Sequence, residues 1–367
     1  MTLPLSGVRV VEVANLIAGP YAAMLLADLG ATVDKIEPPA GDLGRRFGPW
    51  IADESAFFMS VNRGKRSRVV DFRTDAGREE ARALVGRADV LIHNLRHGAI
   101  DRLGLDEEHV RSYNPSVVYA VASAFGADGP YAERAGIDVV FQAESGMISV
   151  TGDDGDPPAK TATTIGDYVA ATNLALGVCA ALAEPGRPGR RVDVSLRDSL
   201  MAVQGGWNAL AFGLNGQPPR IGTRSIFTAP NQVFATADGH IALAIVSDQH
   251  FLLLATALER QDLADRFADN ATRMERCDEL ATELESVFRT RPGAHWIDVL
   301  GGAGLPIGRV LSLPDVWEDA QVRHNDMVVT YDHPTAGPVK AIGSPIRIDG
   351  HAAFSAIPPP PLGGADD

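Results

Sequence analysis

Asp167 is the residue whose type and setting in this sequence best suit chemistry. It lies where a polar stretch turns, at Gly166-Asp167, into a long apolar helix, and residues 161–182 read TATTIGDYVAATNLALGVCAAL. A helix N-terminus offers unpaired backbone N–H groups and the positive end of the helix dipole, so we expect the Asp167 carboxylate to stay ionised in one orientation. Such a carboxylate is a helix cap or a nucleophile. Local sequence alone favours the cap, because Asp is common at helix starts.

The helix that follows Asp167 must hold this carboxylate in place. Most of its residues are alanine, leucine or valine, and a helix with little polar surface is typical of a protein core. We therefore expect it to be buried nearly all round. Pro185 and Gly186 mark its end.

Length and composition predict a soluble enzyme of two domains. The chain has 367 residues, of which 45% are hydrophobic and 22% charged, as in ordinary globular enzymes. The formal charge of −14 opposes a general affinity for nucleic acid or an anionic membrane. Residues 1–7 do not resemble a secretion leader, and no apolar run reaches 18 residues, so a cytoplasmic location without membrane insertion is expected.

No metal site is expected from the residue types. The two cysteines, Cys179 and Cys277, are too few for a disulfide framework or a metal cluster. The acidic run at Asp153, Asp154 and Asp156 lacks the glutamate of a calcium-binding EF-hand loop, so it predicts a solvated turn.

The first 200 residues predict a Rossmann-like α/β domain. Buried strands alternate with helical segments, which favours a mainly parallel sheet with helices on both faces. The predicted strands cover residues 8–13, 32–36, 67–71, 90–93, 117–121 and 191–194. The first turn reads NLIAGPYA and not G-x-G-x-x-G, so no nicotinamide cofactor is expected. Ligands bind such sheets at the carboxyl ends of the strands.

The second half of the chain predicts a smaller α+β lobe. A β-hairpin is expected between residues 227 and 245, followed by two helices. We predict a large domain over residues 1–205, a linker over 206–220, a small domain over 221–325 and a C-terminal segment over 326–367. Short basic clusters at residues 45–46, 63–66 and 96–102 predict either a solvated face or a phosphate-bearing ligand.

Six segments in the same order resemble the class III CoA-transferases, a family that includes formyl-CoA transferase and carnitine CoA-transferase and is related to α-methylacyl-CoA racemase. The resemblance covers essentially the whole chain. The segments are AGPYAAMLLADLGATVDKIEPPAGD (18–42), NRGKRSRVVDF (62–72), ADVLIHNLRHGAIDRLGL (88–105), IGDYVAATNLALGVCAAL (165–182), GRRVDVSLRDSL (189–200) and GLPIGRVLSLPDVWED (304–319).

This resemblance makes Asp167 the expected nucleophile and acyl-CoA and a small carboxylic acid the expected substrates. In the family, the carboxylate attacks an acyl-CoA thioester to give a mixed anhydride, and CoA thiolate then converts the anhydride into an aspartyl-CoA thioester. Backbone N–H groups near Ile17 and Ala18 are expected to bind the oxyanions. The resemblance also implies an interlocked homodimer whose segment 326–367 returns to the large domain.

Positions expected to contact CoA are transferred from the family one by one. They are Ile17, Ala18, Asp71, Phe72, Arg73, Asn94, Leu95, Arg102, Gly136, Ile137 and Asp138. Arg102 suits a phosphate because a guanidinium can bind it through two hydrogen bonds.

Two departures from the family pattern bear on ligand binding. Pro38-Pro39 stand where many relatives place a nucleotide-binding arginine. The glycine-rich lid of formyl-CoA transferases has no counterpart in residues 220–248, which puts formate or oxalate specificity in doubt.

Two alternatives to a transferase follow from the same resemblance. The racemase branch uses a histidine at the position of Ile137, and isoleucine cannot transfer a proton. His240 and His250 lie elsewhere and are interpreted as surface or structural residues. Transferase is therefore preferred to racemase, and a non-catalytic acyl-CoA binding protein stays as a further alternative.

Overall fold

The computed structural model describes residues 2–186 and 189–364. These residues form two compact units. The first contains the chain up to Ile148, residues Lys160–Asn215 and the segment from Asp319 onward. The second contains Ser149–Ala159 and Gly216–Glu318.

The secondary structure follows the alternation expected of an α/β chain. The strands are β1 (Arg9–Val13), β2 (Thr32–Glu37), β3 (Trp50–Ile51), β4 (Glu54–Ser55), β5 (Lys65–Val69), β6 (Val90–His93), β7 (Val118–Ser123), β8 (Arg191–Ser195), β9 (Asn231–Ala235), β10 (His240–Ala244), β11 (Ile307–Arg309), β12 (Val328–His333), β13 (Gly337–Ile342), β14 (Arg347–Ile348) and β15 (His351–Ala352). The helices are α1 (Ala18–Asp28), α2 (Ala56–Ser60), α3 (Asp75–Gly86), α4 (Glu107–Tyr113), α5 (Asp138–Glu144), α6 (Met147–Val150), α7 (Ile165–Ala183), α8 (Leu196–Val203), α9 (Gly205–Leu214), α10 (Asp248–Ala257), α11 (Gln261–Arg266), α12 (Asn270–Glu275), α13 (Cys277–Phe288), α14 (Gly293–Gly302), α15 (Leu313–Glu318) and α16 (Ala320–His324).

The first unit is built on a six-stranded sheet with the order β5-β2-β1-β6-β7-β8. Every neighbouring pair of strands is parallel, which confirms the predicted parallel sheet. The chain runs outward from β1 in one direction and then, from β6, in the other. The carboxyl ends of β1 and β6 therefore flank the point where the strand order reverses, which is where open α/β sheets bind ligands.

Helices cover both faces of this sheet because successive strand residues point to opposite sides. Val10 of β1 packs in one core with α1, α7 and α8. Its neighbour Val11 packs in a second core with α3 and α4. The apolar strands predicted from the sequence are thus buried on both faces, as a parallel sheet requires.

Helix α7 is less buried than the sequence predicts. One side packs into the core through residues such as Ala171, Leu174 and Val178, whereas Leu176 is 68% exposed on the other side. The expectation that α7 is buried nearly all round is therefore wrong within a single chain. By length and composition α7 is also long and apolar enough to cross a membrane. Core helices of soluble proteins meet the same criteria, so one such helix is weak evidence for a membrane span.

The second unit contains the predicted hairpin, β9 with β10, extended by β11 into an antiparallel sheet of three strands. Its core contains Phe234, Phe288 and Trp296, which meet edge to face. The structure divides the chain differently from the sequence. Helix α9 covers most of the predicted linker over residues 206–220 and belongs to the first unit, whereas Ser149–Ala159 belongs to the second unit, which ends at Glu318.

The C-terminal segment is part of the first unit. The Gly64 N–H donates to the Ile357 carbonyl over 3.0 Å, and the Gly363 N–H donates to Ser67 Oγ over 3.0 Å. These contacts attach the segment beside β5, the edge strand of the sheet.

Candidate functional site

A cavity of about 750 Å³ opens where the strand order reverses. Two asparagines join the strands there: the Asn15 N–H donates to Asn94 Oδ1 over 2.9 Å, and Asn94 Nδ2 donates to the Asn15 carbonyl over 2.7 Å. Asn15 follows β1 and Asn94 follows β6. This reciprocal pair fixes the distance between the two loops that form the floor of the cavity.

The N-terminus of α1 forms part of the cavity wall through Ile17 and Ala18. No side chain caps this helix, and among the described residues no acceptor is hydrogen-bonded to the Ile17 or Ala18 N–H. Gly19 lets the helix approach closely, since a Cβ there would lie 2.4 Å from the Ala14 Cβ. The cavity is thus lined by a helix N-terminus with N–H groups that have no acceptor among the described residues, which suits a developing oxyanion.

Asp167 lies in the first turn of α7 and lines the same cavity. Burial, together with the negative charge of Asp138, raises the pKa of Asp167 to about 7. The expectation that the helix N-terminus keeps this carboxylate fully ionised is therefore wrong. The physical reason is that desolvation and a neighbouring acid act against the helix dipole.

Asp138 binds the N-terminus of α7 in place of Asp167. Its Oδ1 accepts the Gly166 N–H over 2.8 Å, and its Oδ2 accepts from Gln142 Nε2 over 2.5 Å. Gln142 in turn accepts the Thr161 N–H over 2.9 Å. Asp138 and Gln142 therefore connect α5 to the polar lead-in and to the first turn of α7, which positions Asp167.

The structure brings most of the predicted contact residues to this cavity. Those that line it are Ile17, Ala18, Asn94, Leu95, Gly136, Ile137 and Asp138. Gly136 is required by packing, since a Cβ there would lie 2.3 Å from the Phe141 ring.

Four predicted contact residues do not line the cavity: Asp71, Phe72, Arg73 and Arg102. Arg73 pairs with Asp71 over 2.7 Å and its side chain is 83% exposed. Phe72 packs against the core under α3 and α4. Arg102 is exposed in a short 3-10 turn, Asp101–Leu103. Their role in binding CoA stays a prediction.

Comparison with known proteins decides the family. The family model described as CoA-transferase family III matches residues 5–367. The chain belongs to CoA-transferase family III. This family III chain is 34% identical to the acetyl-CoA:oxalate CoA-transferase of Acetobacter aceti, over 95% of the chain and 90% of that protein. It is 34% identical to the succinyl-CoA:glutarate CoA-transferase of Mus musculus, over 98% of the chain and 84% of the relative.

A solved structure supports the same assignment for the fold. The CAIB/BAIF family protein from Brucella suis superposes on the family III chain with a TM-score of 0.88 at 32% identity, covering 99% of this chain and 97% of the other. The chain is accordingly a CoA-transferase, as the resemblance in its sequence implied.

Basic side chains that line the cavity of this CoA-transferase were not among the predicted contacts. They are Arg96, His97, Arg134 and Lys160. Arg96 and His97 follow Asn94-Leu95 directly and belong to the basic cluster at 96–102, from which the predicted contact was Arg102. Arg134 pairs with Glu144 over 2.6 Å. Among the described residues, no group of three or more His, Cys, Asp or Glu side chains is arranged to hold a metal ion.

Proposed function

We propose that this enzyme moves CoA from an acyl-CoA thioester to a small carboxylic acid, with Asp167 as the nucleophile. The observation that supports it most is that Asp167 and the free N–H groups of Ile17 and Ala18 line one cavity. Acyl transfer requires at least a nucleophile and a site for the oxyanion, both lining the same cavity.

The proposed reaction proceeds in balanced exchanges. An Asp167 carboxylate oxygen attacks the thioester carbonyl carbon, a C–O bond forms, the C–S bond breaks and CoA thiolate leaves. The thiolate then attacks the Asp167 carbonyl carbon of the anhydride, which releases the donor acid and leaves an aspartyl-CoA thioester. The acceptor carboxylate attacks that thioester, and thiolate attacks the acceptor's acyl carbon in the resulting anhydride. Asp167 is regenerated as a carboxylate.

The environment of Asp167 suits this role. A carboxylate that is held by strong donors is a weak nucleophile, whereas burial and the Asp138 charge raise the pKa of Asp167 to about 7. The group is thus ionised in most molecules above pH 7 while its charge is poorly stabilised. Covalent catalysis benefits from such a reactive ground state.

The cations at the cavity and the N-terminus of α1 supply sites for the charged parts of the substrates. CoA carries phosphates and the acceptor carries at least one carboxylate, and both bind well to Arg, Lys and helix N-termini. Relatives are named for oxalate, glutarate and mesaconate, so small dicarboxylic acids are the acceptors to test first. Asp71, Phe72, Arg73 and Arg102 are proposed to contact the outer part of CoA.

We also infer a cytoplasmic homodimer with interlocked chains. Its support is the family resemblance, together with apolar side chains that the single chain leaves in solvent. Leu176 on α7 is 68% exposed and Phe212 on α9 is 83% exposed, and exposed apolar surface of this kind favours association.

The decisive experiment treats the enzyme with acyl-CoA alone, without acceptor. We expect intact mass measurement to detect an adduct, and hydroxylamine to trap it at Asp167. Asp167→Ala should form no adduct and lose transfer, while CoA binding changes by less than about tenfold because the nucleotide contacts remain. Turnover of Asp167→Ala near the wild-type rate, or no adduct in the wild type, contradicts the proposal.

A further inference from the structure

Four ionised side chains lie together beneath the loop that leads into α1. This buried charge cluster consists of Glu12 on β1, Lys35 on β2, Lys65 on β5 and Asp42 in the loop after β2. Lys35 Nζ lies 2.6 Å from Glu12 Oε1 and 2.8 Å from Asp42 Oδ2, and Lys65 Nζ lies 2.7 Å from Glu12 Oε2. None of the four side chains is more than 1% exposed.

The cluster also holds the backbone between β1 and α1. Lys35 Nζ donates to the Ala14 carbonyl over 2.8 Å, and Lys65 Nζ donates to the Pro20 carbonyl over 2.7 Å. Between them, the Leu16 N–H donates to Asp42 Oδ1 over 3.2 Å. The segment Ala14–Pro20 is therefore attached to the cluster at its start, its middle and its end.

The backbone so held has an unfavourable conformation. Leu16 has φ +66°, a region that residues other than glycine seldom adopt and that persists only where surrounding contacts enforce it. The next two residues, Ile17 and Ala18, line the cavity, and among the described residues their N–H groups have no hydrogen-bond acceptor. The strained residue thus directly precedes the proposed oxyanion site.

Stability alone does not account for the cluster. Removing four charges from water is costly, and replacing buried ion pairs by apolar side chains of similar volume is often neutral or stabilising. What apolar side chains could not replace are the hydrogen bonds to Ala14, Leu16 and Pro20. These bonds hold the backbone on both sides of Ile17 and Ala18.

We propose that Lys35 and Lys65 are positioning residues for acyl transfer, acting through the segment Ala14–Pro20 to aim the Ile17 and Ala18 N–H groups at the thioester oxygen. This inference rests on the proposed function of Asp167. Removing a single oxyanion donor typically lowers kcat by about 10²–10³-fold, and misplacing donors by about 1 Å has effects of similar size.

The test is Lys65→Met, which keeps side-chain length but removes the ammonium group. Adduct formation on Asp167 is followed in a single turnover with saturating acyl-CoA. We expect the rate to fall by about tenfold to hundredfold while the Kd for acyl-CoA stays within about threefold, because the oxyanion forms only in the transition state. Lys65→Arg, which keeps the charge, should recover part of the rate. A Lys65→Met rate within twofold of wild type overturns the inference.

Arg63→Met is the matched control. Arg63 is also a buried cation at the same end of β5, but it pairs with Asp28 at 2.5 Å and donates to the Ile342 carbonyl, not to Ala14–Pro20. We expect it to destabilise the enzyme as much as Lys65→Met does, with the adduct rate per folded molecule unchanged. Equal loss of rate in both variants would show a structural role only and would overturn the inference.

A pH profile of the wild-type enzyme decides the question if Lys65→Met does not fold. Burial lowers the pKa of Lys65 to about 8, against the opposing charge of Glu12. The groups that face Lys65 are Glu12, Lys35, Asp42 and the Asn62 side chain. Loss of its proton leaves the cluster with one excess negative charge, so we expect the adduct rate to fall by about threefold or more between pH 8 and 9.5.

A flat rate across that range overturns the positioning role and leaves the nucleophile intact. Absence of any adduct in the wild type overturns the proposed function instead. The two failures are therefore distinguishable.

Discussion

The carboxylate of Asp138 accepts the backbone N–H of Gly166, one residue before Asp167, over 2.8 Å. Both acids lie at the N-terminus of α7, and it is Asp138, not Asp167, that accepts the hydrogen bond from the Gly166 N–H. Asp167 keeps its position in the first turn but gains a neighbouring negative charge. The pair therefore separates two tasks that the sequence offered to one residue: Asp138 caps the helix, which leaves Asp167 for the nucleophilic role that we propose.

Asp138→Asn should lower the pKa of Asp167. The amide oxygen still accepts the Gly166 N–H, but the negative charge that raises the Asp167 pKa is gone. Adduct formation, which needs the carboxylate, should reach half its maximum at a lower pH than the wild-type value of about 7. Glu144→Gln, which removes a charge from the same helix α5, should leave the midpoint in place. A midpoint unchanged by Asp138→Asn would show that the charge of Asp138 has no influence.

Asp167→Asn should stabilise the enzyme at pH 8 and not at pH 4. Burial, with Asp138, raises the pKa of Asp167 from 3.8 to about 7, so the folded state binds a proton that the unfolded state has lost between these values. Stability from this group therefore falls as pH rises from about 4 to about 7. An uncharged side chain avoids that cost above pH 7. Denaturant midpoints at the two pH values measure the difference, and equal shifts at both would contradict it.

The sheet was predictable from the sequence because buried parallel strands are continuous apolar runs. Val10 and Val11 alone show how one strand serves two cores, and the alternation of such strands with helices defines the topology. The small domain was predictable for a similar reason, since the turn at Asp238-Gly239 separates two alternating strands.

Electrostatic features of the site were harder to predict because they depend on distant residues. Lys35 and Lys65 lie in strands and resemble solvated charges until β1, β2 and β5 are placed side by side. The Asp167 pKa depends on Asp138, which is 29 positions earlier in the chain. Arg96 lines the cavity, whereas Arg102, the residue predicted from the family resemblance, does not, because the sequence does not show which side chains of this loop turn toward the cavity.

The native enzyme is predicted to be a tightly associated homodimer. The exposed apolar residues Leu176 and Phe212 should be covered in the dimer, and interlocked chains cannot separate without unfolding. Native mass measurement after mixing isotopically labelled and unlabelled protein should find no mixed dimers until the sample is unfolded and refolded. A stable, active monomer at micromolar concentration would contradict the prediction.

Asp28→Ala should strongly destabilise the first unit. Its carboxylate pairs with Arg63 and also accepts the Ser355 N–H over 3.0 Å, so removal leaves a buried guanidinium unpaired and loosens the C-terminal segment. The expected cost is about 3–5 kcal/mol, measured by urea unfolding. Glu184→Ala, which breaks an exposed pair with Arg190, should cost far less, because solvent screens an exposed ion pair. Similar costs for the two variants would show that the buried pair is not a structural anchor.

Exchange of an α-proton should be far slower than CoA transfer in this enzyme. Ile137 lines the cavity and is 64% exposed, and the family resemblance predicts that it occupies the position of the racemase histidine. One acid/base group typically contributes about 10²–10⁴-fold in rate, and isoleucine contributes none.

Asp167, with a pKa of about 7, can still abstract a proton occasionally, so slow exchange is expected and fast epimerisation is not. With a 2-methylacyl-CoA in deuterated buffer, deuterium uptake should lag far behind transfer to an acceptor acid. Ile137→His alone should raise the uptake little, because a single substitution does not supply the hydrogen bonds that orient a catalytic imidazole. Rapid uptake by the unmodified enzyme that is lost on changing His240 or His250 would show that the acid/base pair lies elsewhere and that the enzyme is an isomerase.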